Sequence, residues 1–304
     1  MDATKPNQPL TALHVITVPY RQSEPEAHHR ATLDAYQQES AFNSPGIPIT
    51  VTEAAITPEE RVADEPINLG TLGGHIAGIT AAARRQGQGI LMAGGSCNHI
   101  TGIFGGLQDT HGPDARVGLV WFDAHGDFNT PRTTLSGMLG GMPVAVCAGL
   151  AFPEWRQRSH IAAPIPTDRI LMVDVRNLDP AEEAMIKATE IQIAAPAPGF
   201  PGADLETAVQ SLAERCDMIY LHIDSDILDE RFVPNHGTKE PDGPDMEQVK
   251  AAIKTVMATG KVAVTAVVSV YGEGEGSDVA LASGIQLIQS CLTQWQQYGM
   301  AGPG

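Results

Sequence analysis

Short, unbroken apolar runs separated by stretches of helical period set the pattern of this chain. Residues 13–18, 89–93, 117–122, 170–175, 191–193, 218–223 and 262–271 read as strands. They are continuous runs with no polar–apolar alternation, which predicts strands covered on both faces. Between them, residues 74–85, 99–109, 181–190, 203–216, 246–259 and 278–297 carry the period of helices, and Asp179-Pro180 supplies the start of the one over 181–190. Strand and helix therefore alternate along the chain, which predicts an α/β fold with a mainly parallel sheet between two helical layers. Ligands in such folds sit beyond the carboxyl ends of the strands.

No linker, repeat or low-complexity tract interrupts the 304 residues, so a single domain over 10–304 is expected, preceded by a polar, loosely held segment at 1–9. No apolar run approaches the roughly 20 residues of a membrane helix, and the N-terminus lacks a basic stretch followed by an apolar core. A cytoplasmic location follows as an expectation. With 36 acidic against 19 basic side chains the formal charge is −17, which argues against a nucleic-acid partner. The acidity serves solubility and mildly favours a cationic small molecule. Cys97, Cys147, Cys216 and Cys291 form no CxxC pair, so a reducing compartment is expected, with all but Cys97 read as buried small hydrophobes.

Chemistry concentrates where two of the strands end. Asp123-Ala124-His125-Gly126-Asp127 closes one run and Asp224-Ser225-Asp226 closes another. Parallel strands lying close together would aim these carboxylates and the imidazole at one point. Such anions repel one another and resist desolvation unless divalent cations neutralise them. Oxygen ligands with one imidazole suit Mn²⁺ or a similar ion better than a tetrahedral structural zinc. Two such ions sharing carboxylates would yield a hydroxide nucleophile near neutral pH. Taken alone, Asp127 also reads as a cap or turn residue.

The run from Gly94-Gly95 through Phe122-Asp123-Ala124-His125-Gly126-Asp127-Phe128-Asn129-Thr130-Pro131 to Ile223-Asp224-Ser225-Asp226-Ile227-Leu228-Asp229 resembles the ureohydrolases, the arginase and agmatinase superfamily. The resemblance implies a three-layer αβα sandwich and a binuclear site holding two Mn²⁺ per chain that hydrolyses guanidino C–N bonds. It implies that Asp123 and Asp224 bridge the metals, that Asp127 completes one site, and that His125 and Asp226 complete the other. Asn129 and Ser136 fall on positions that hold an α-carboxylate, and Asp179 and Glu182 on positions that hold the α-ammonium. The last two also read as helix-start residues favoured by the dipole. Thr238 keeps a position near the substrate. His236 beside it reads either as a replacement acid or, the preferred reading, as a loop histidine facing water.

The departures carry as much information. Where the family reads Gly-Gly-Asp-His-Ser this chain has Gly94-Gly95-Ser96-Cys97-Asn98, which puts Cys97 on a metal-ligand position. The alternative is that His99 takes over. Arginases carry a proton-shuttling histidine at the place of Gly140, and a guanidinium-pairing glutamate near Tyr271, whose role would pass to Glu273 or Glu275. Cysteine for histidine together with the missing shuttle resembles the Nω-hydroxy-L-arginine hydrolase branch of the superfamily, from the D-cycloserine pathway. The expected reaction is then hydrolysis of Nω-hydroxy-L-arginine to L-ornithine and hydroxyurea, with Asp127 as the catalytic carboxylate. An arginase or another guanidino-acid hydrolase, and a catalytically silent metal- or ligand-binding homologue, are the alternatives. Because the chain stops soon after its last helix, a monomer is expected over a trimer.

Overall fold

The computed structural model describes residues 7–302. Eight strands form one sheet: β1 (Leu13–Val18), β4 (Ile49–Glu53), β5 (Gly89–Gly94), β6 (Val117–Phe122), β7 (Ile170–Val173), β8 (Gln192–Ala194), β9 (Met218–Asp224) and β10 (Val262–Val268). Their order is β4-β1-β5-β10-β9-β6-β7-β8 and every pairing is parallel. Two short strands, β2 (Tyr20–Arg21) and β3 (Glu24–Pro25), make a separate antiparallel pair.

Successive residues of the central strands enter opposite cores, as the pleat requires. On one face Val15, Leu91, Val120 and Leu221 pack with α1 (Ala27–Gln38), α7 (Leu205–Arg215), α8 (Met246–Met257) and α9 (Ser277–Tyr298). On the other, Ile16, Ile90, Leu119 and Tyr220 pack with α2 (Glu65–Arg85), α3 (Ile100–His111), α4 (Pro143–Cys147), α5 (Pro153–Arg158) and α6 (Pro180–Lys187). The expected three-layer αβα sandwich is therefore the observed fold.

Several boundaries differ from the sequence reading, for local reasons. Helix α2 starts at Glu65, where the Asp64 side chain accepts from Ile67 N and a proline occupies the first turn. Glycines at 70, 73 and 74 obscured its first half. Strand β10 ends at Val268, not 271, because Ser269 turns to φ +59°. Strand β7 stops at Val173 because Asp174 has φ +66°. Helix α1 and the edge strand β4 escaped the periodicity altogether, the latter being only partly buried. Of the segment expected to be loosely held, residues 1–6 lie outside the described residues. Gln8 within it is bonded in both directions to Met300. Among the described residues no helix is long and apolar enough to cross a membrane.

Candidate metal centre

The chain reaches the sheet's middle from both sides. Strands β5 and β6 are not neighbours; β10 and β9 lie between them, and the carboxyl ends of all four open on one point. Gly94 and Gly95 turn the chain off β5 with φ +76° and +71°. A Cβ on Gly95 would stand 2.5 Å from the His99 ring, so only glycine permits this close turn. It delivers Cys97, 4% exposed, to the cluster.

Cys97 Sγ donates to Asp224 Oδ2 at 2.9 Å and lies 3.5 Å from Asp123 Oδ2. His125 Nδ1 stands 3.2 Å from both Asp123 Oδ1 and Asp226 Oδ2. His236 Nε2 is 3.5 Å from Asp224 Oδ1, and its Nδ1 is 3.8 Å from Asp226 Oδ2. Three overlapping donor sets result, Cys97–Asp123–Asp224, Asp123–His125–Asp226 and Asp224–Asp226–His236, each with its ligand atoms within 4.8 Å of one another. Ser269 Oγ donates to Asp224 Oδ2 at 2.5 Å and Thr238 Oγ1 to Asp226 Oδ2 at 3.1 Å.

His99 does not take the place of Cys97. Its Nδ1 accepts from Ser96 N at 3.1 Å and its Nε2 meets Gln22 O at 2.8 Å, so both ring nitrogens are committed elsewhere. His236 corrects the reading of a water-facing loop residue: it is 7% exposed and aims between two aspartates, with Tyr271 edge-on at 5.3 Å. Asp127 is buried at φ +44° but supplies no atom to the three donor sets.

The electrostatics describe a site short of positive charge. Burial, reinforced by Asp226, Asp127 and Asp224, pushes the Asp123 carboxyl well above its ordinary range. Burial does the same to Asp127. Burial and the neighbouring Asp224 raise the Cys97 thiol. Asp226 is the exception, since the hydrogen bond from His125 and the nearby His236 outweigh burial and hold it low. Burial opposes protonation of His125 and His236, yet the aspartates win in both, raising His236 to about 9. This donor set of oxygens, imidazoles and one sulfur fits divalent first-row ions.

A residue that the sequence reading missed completes the surroundings. Glu240 Oε1 bonds His125 Nε2 at 2.9 Å and accepts from Asn177 Nδ2 at 2.9 Å. A carboxylate on the far nitrogen of a metal-binding histidine fixes its tautomer and orientation. Arg176 anchors that loop by donating to Glu240 O at 3.0 Å and to Asp226 O at 3.1 Å.

The expected substrate contacts are partly gathered. Asn129 Nδ2 donates to Asp179 Oδ2 at 3.2 Å, and Leu135 N donates to the same oxygen at 2.9 Å, which draws in the exposed loop carrying Ser136. Glu182 is buried and accepts from Phe128 N at 2.8 Å and Asp179 N at 3.3 Å, so it braces both the Asp127 loop and the start of α6. Glu273 is half exposed and 3.8 Å from the His28 ring. Glu275 is exposed as well. Tyr271, tilted against His29 at 5.3 Å, occupies the space between α1 and His236. A Cβ on Gly140 would meet nothing within 4 Å, leaving open space there.

Comparison with known proteins bears on the family and the fold. The model of the arginase family matches residues 24–293. An arginase of Bacillus caldovelox is 31% identical over 158 residues, 51% of this chain and 52% of the relative. The chain thus spans about half the length of the curated relatives it matches. The structure of Entamoeba histolytica arginase in complex with L-ornithine superposes with a TM-score of 0.79 at 21% identity, covering 93% of this chain and 99% of that one. Formimidoylglutamase of Bacillus subtilis superposes with a TM-score of 0.71 at 17% identity, covering 97% and 90%. The last two likenesses concern the fold alone.

Proposed function

The chain belongs to the arginase family, and on that premise we propose that it is a binuclear-manganese hydrolase cleaving Nω-hydroxy-L-arginine to L-ornithine and hydroxyurea. The observation that carries the reading is a pair of features at one site: Cys97 turned into the carboxylate cluster, and open space at Gly140. Two Mn²⁺ ions held by Cys97, Asp123, His125, Asp127, Asp224 and Asp226 would neutralise the buried charge and supply a water nucleophile ionised near neutral pH.

The remaining steps fall to the chain's own groups. Asn129 and Ser136 orient the amino acid's carboxylate, and Asp179 and Glu182 its ammonium, with Thr238 and Glu273 further along the substrate. Asp127 accepts a hydrogen bond from the attacking water. The water oxygen bonds to the guanidino carbon, the bond to the ornithine nitrogen breaks, and a proton must reach the leaving amine. We assign that delivery to His236, which is buried beside Asp224 and Asp226. An N-hydroxyl withdraws electrons and makes the guanidine less basic. Its neutral form, which two Mn²⁺ would not repel, is then easier to reach, and on this reading the reaction tolerates the absence of a histidine at 140.

A second reading, hydrolysis of L-arginine itself, is favoured by relatives that carry the name arginase. Steady-state kinetics on the Mn²⁺-loaded protein separate the two. We expect kcat/KM for Nω-hydroxy-L-arginine to exceed that for L-arginine, and Asp127→Ala to abolish turnover. A preference for L-arginine would overturn the assignment. So would metal-loaded protein that turns over neither substrate.

A further inference from the structure

His222 lies inside the sheet, on β9, where a strand residue would ordinarily be apolar. It is fully buried, with one ring face stacked and both ring nitrogens engaged. Its face stacks on Trp121, its direct neighbour across the β6–β9 pairing, with centroids 4.1 Å apart and planes 6° off parallel. Nδ1 lies 2.9 Å from Tyr220 Oη, two residues back on the same face of β9. Nε2 lies 3.4 Å from Cys97 Sγ. Trp121 in turn donates from Nε1 to His125 O at 3.1 Å, so the indole that clamps this imidazole also holds the backbone of a candidate ligand.

The hydrogen-bond inventory settles the roles. A neutral imidazole offers one donor and one acceptor. If Nε2 accepted from the thiol, Nδ1 would donate to the tyrosine, and the buried Tyr220 hydroxyl hydrogen would have no acceptor. If instead Tyr220 donates to Nδ1, Nε2 carries the hydrogen and points it at sulfur, and every polar hydrogen is used. A sulfur that binds metal does so as a thiolate, which only accepts. The second arrangement is the one that a metal-bound Cys97 requires.

We propose that His222 is a positioning residue that aims Cys97 Sγ at the metal centre through an Nε2–H···S hydrogen bond, with Tyr220 fixing the tautomer. It rests on Cys97 being a ligand. The sulfur ligand and the buried imidazole then form a matched pair: the donor relieves part of the thiolate's charge in a cluster already crowded with carboxylates.

Cobalt(II) in place of manganese reports sulfur ligation through a thiolate-to-cobalt charge-transfer band. We expect wild type to show the band. His222→Phe keeps the ring's volume and its stack on Trp121; it should shift the band and weaken metal binding by about 10-fold to 100-fold, the usual effect of losing an outer-shell partner. In a Cys97→Ala background the same substitution should leave affinity unchanged, a difference that a merely structural role would not produce. His222→Gln retains an N–H donor and should keep the band with near wild-type affinity, which provides the test if the phenylalanine variant does not fold. Absence of the band in wild type would overturn sulfur ligation, and the inference with it. A wild-type band unmoved in His222→Phe, or an equal loss of affinity in both backgrounds, would overturn the role of His222 and leave Cys97 as a ligand.

Discussion

Gly140 is the residue at which the proposed substrate choice is most directly testable. Because a Cβ there would meet nothing within 4 Å, the backbone at Gly140 admits a side chain, and Gly140→His is the variant to make. We expect it to raise kcat on L-arginine relative to Nω-hydroxy-L-arginine, by about 10-fold or more if the imidazole serves as a general acid. Parallel steady-state assays of both substrates read this out. Glu240 carries the other residue-scale prediction. Glu240→Gln leaves Asn177 and His125 a partner of the same shape but removes the charge behind the imidazole. Competition against a fluorescent chelator should show metal affinity lower by about 10-fold. Cys97, Asp123, His125, Asp224 and Asp226 were legible in the sequence because each follows a strand closely, and the strand's direction dictates where it points. Glu240 and His222 were not, and His236 was noticed but read as facing water. Glu240 and His236 sit on an irregular loop, and His222 inside a strand, with partners up to 125 residues away. No local pattern encodes such contacts.

At the scale of elements, the continuous apolar strands gave the clearest signal, since burial on both faces leaves little room for polar residues. Edge strand β4 and helix α1 gave little, because a half-exposed strand and a helix of mixed polarity carry weak periodicity. Close packing of helices was equally hidden. Helix α3 approaches the turn after α5 so tightly that a Cβ on Gly105 would fall 1.7 Å from Ser159 O, a backbone atom that cannot swing aside. Gly105→Ala should therefore destabilise the protein by about 3 kcal/mol or more. A urea titration with an unchanged slope and an earlier midpoint would establish it.

At the scale of the whole molecule, buried ionisable groups bend stability at both ends of the pH range. His29 is buried with Nε2 3.3 Å from Glu26 Oε2, yet burial, with His99 and His28 adding, outweighs its polar neighbours and lowers it to about 3. The unfolded chain binds its proton below about pH 6.5, so stability falls as pH drops from there towards 3, by up to about 1.4 kcal/mol per pH unit. The centre works in the opposite sense. Asp123, Asp127, His125 and His236 all hold protons more tightly folded than unfolded, so the metal-free protein loses stability as pH rises through neutrality towards 9. Melting temperatures of metal-free protein should thus peak in weak acid. Added Mn²⁺ should raise them more at pH 8 than at pH 6, because protons compete with the ions for the same atoms. His29→Phe should flatten the acid limb and leave the alkaline one in place.

The order of the sheet also bears on how the protein is born. Strands β5 and β6 leave the ribosome early, yet the places between them wait for β9 and β10. A nascent chain cut before Met218 has two half-sheets with an unfilled gap and lacks Asp224 and Asp226. Assembly of the candidate ligand cluster is consequently a late event in synthesis, and stalled or truncated chains should expose sticky strand edges that call for chaperones.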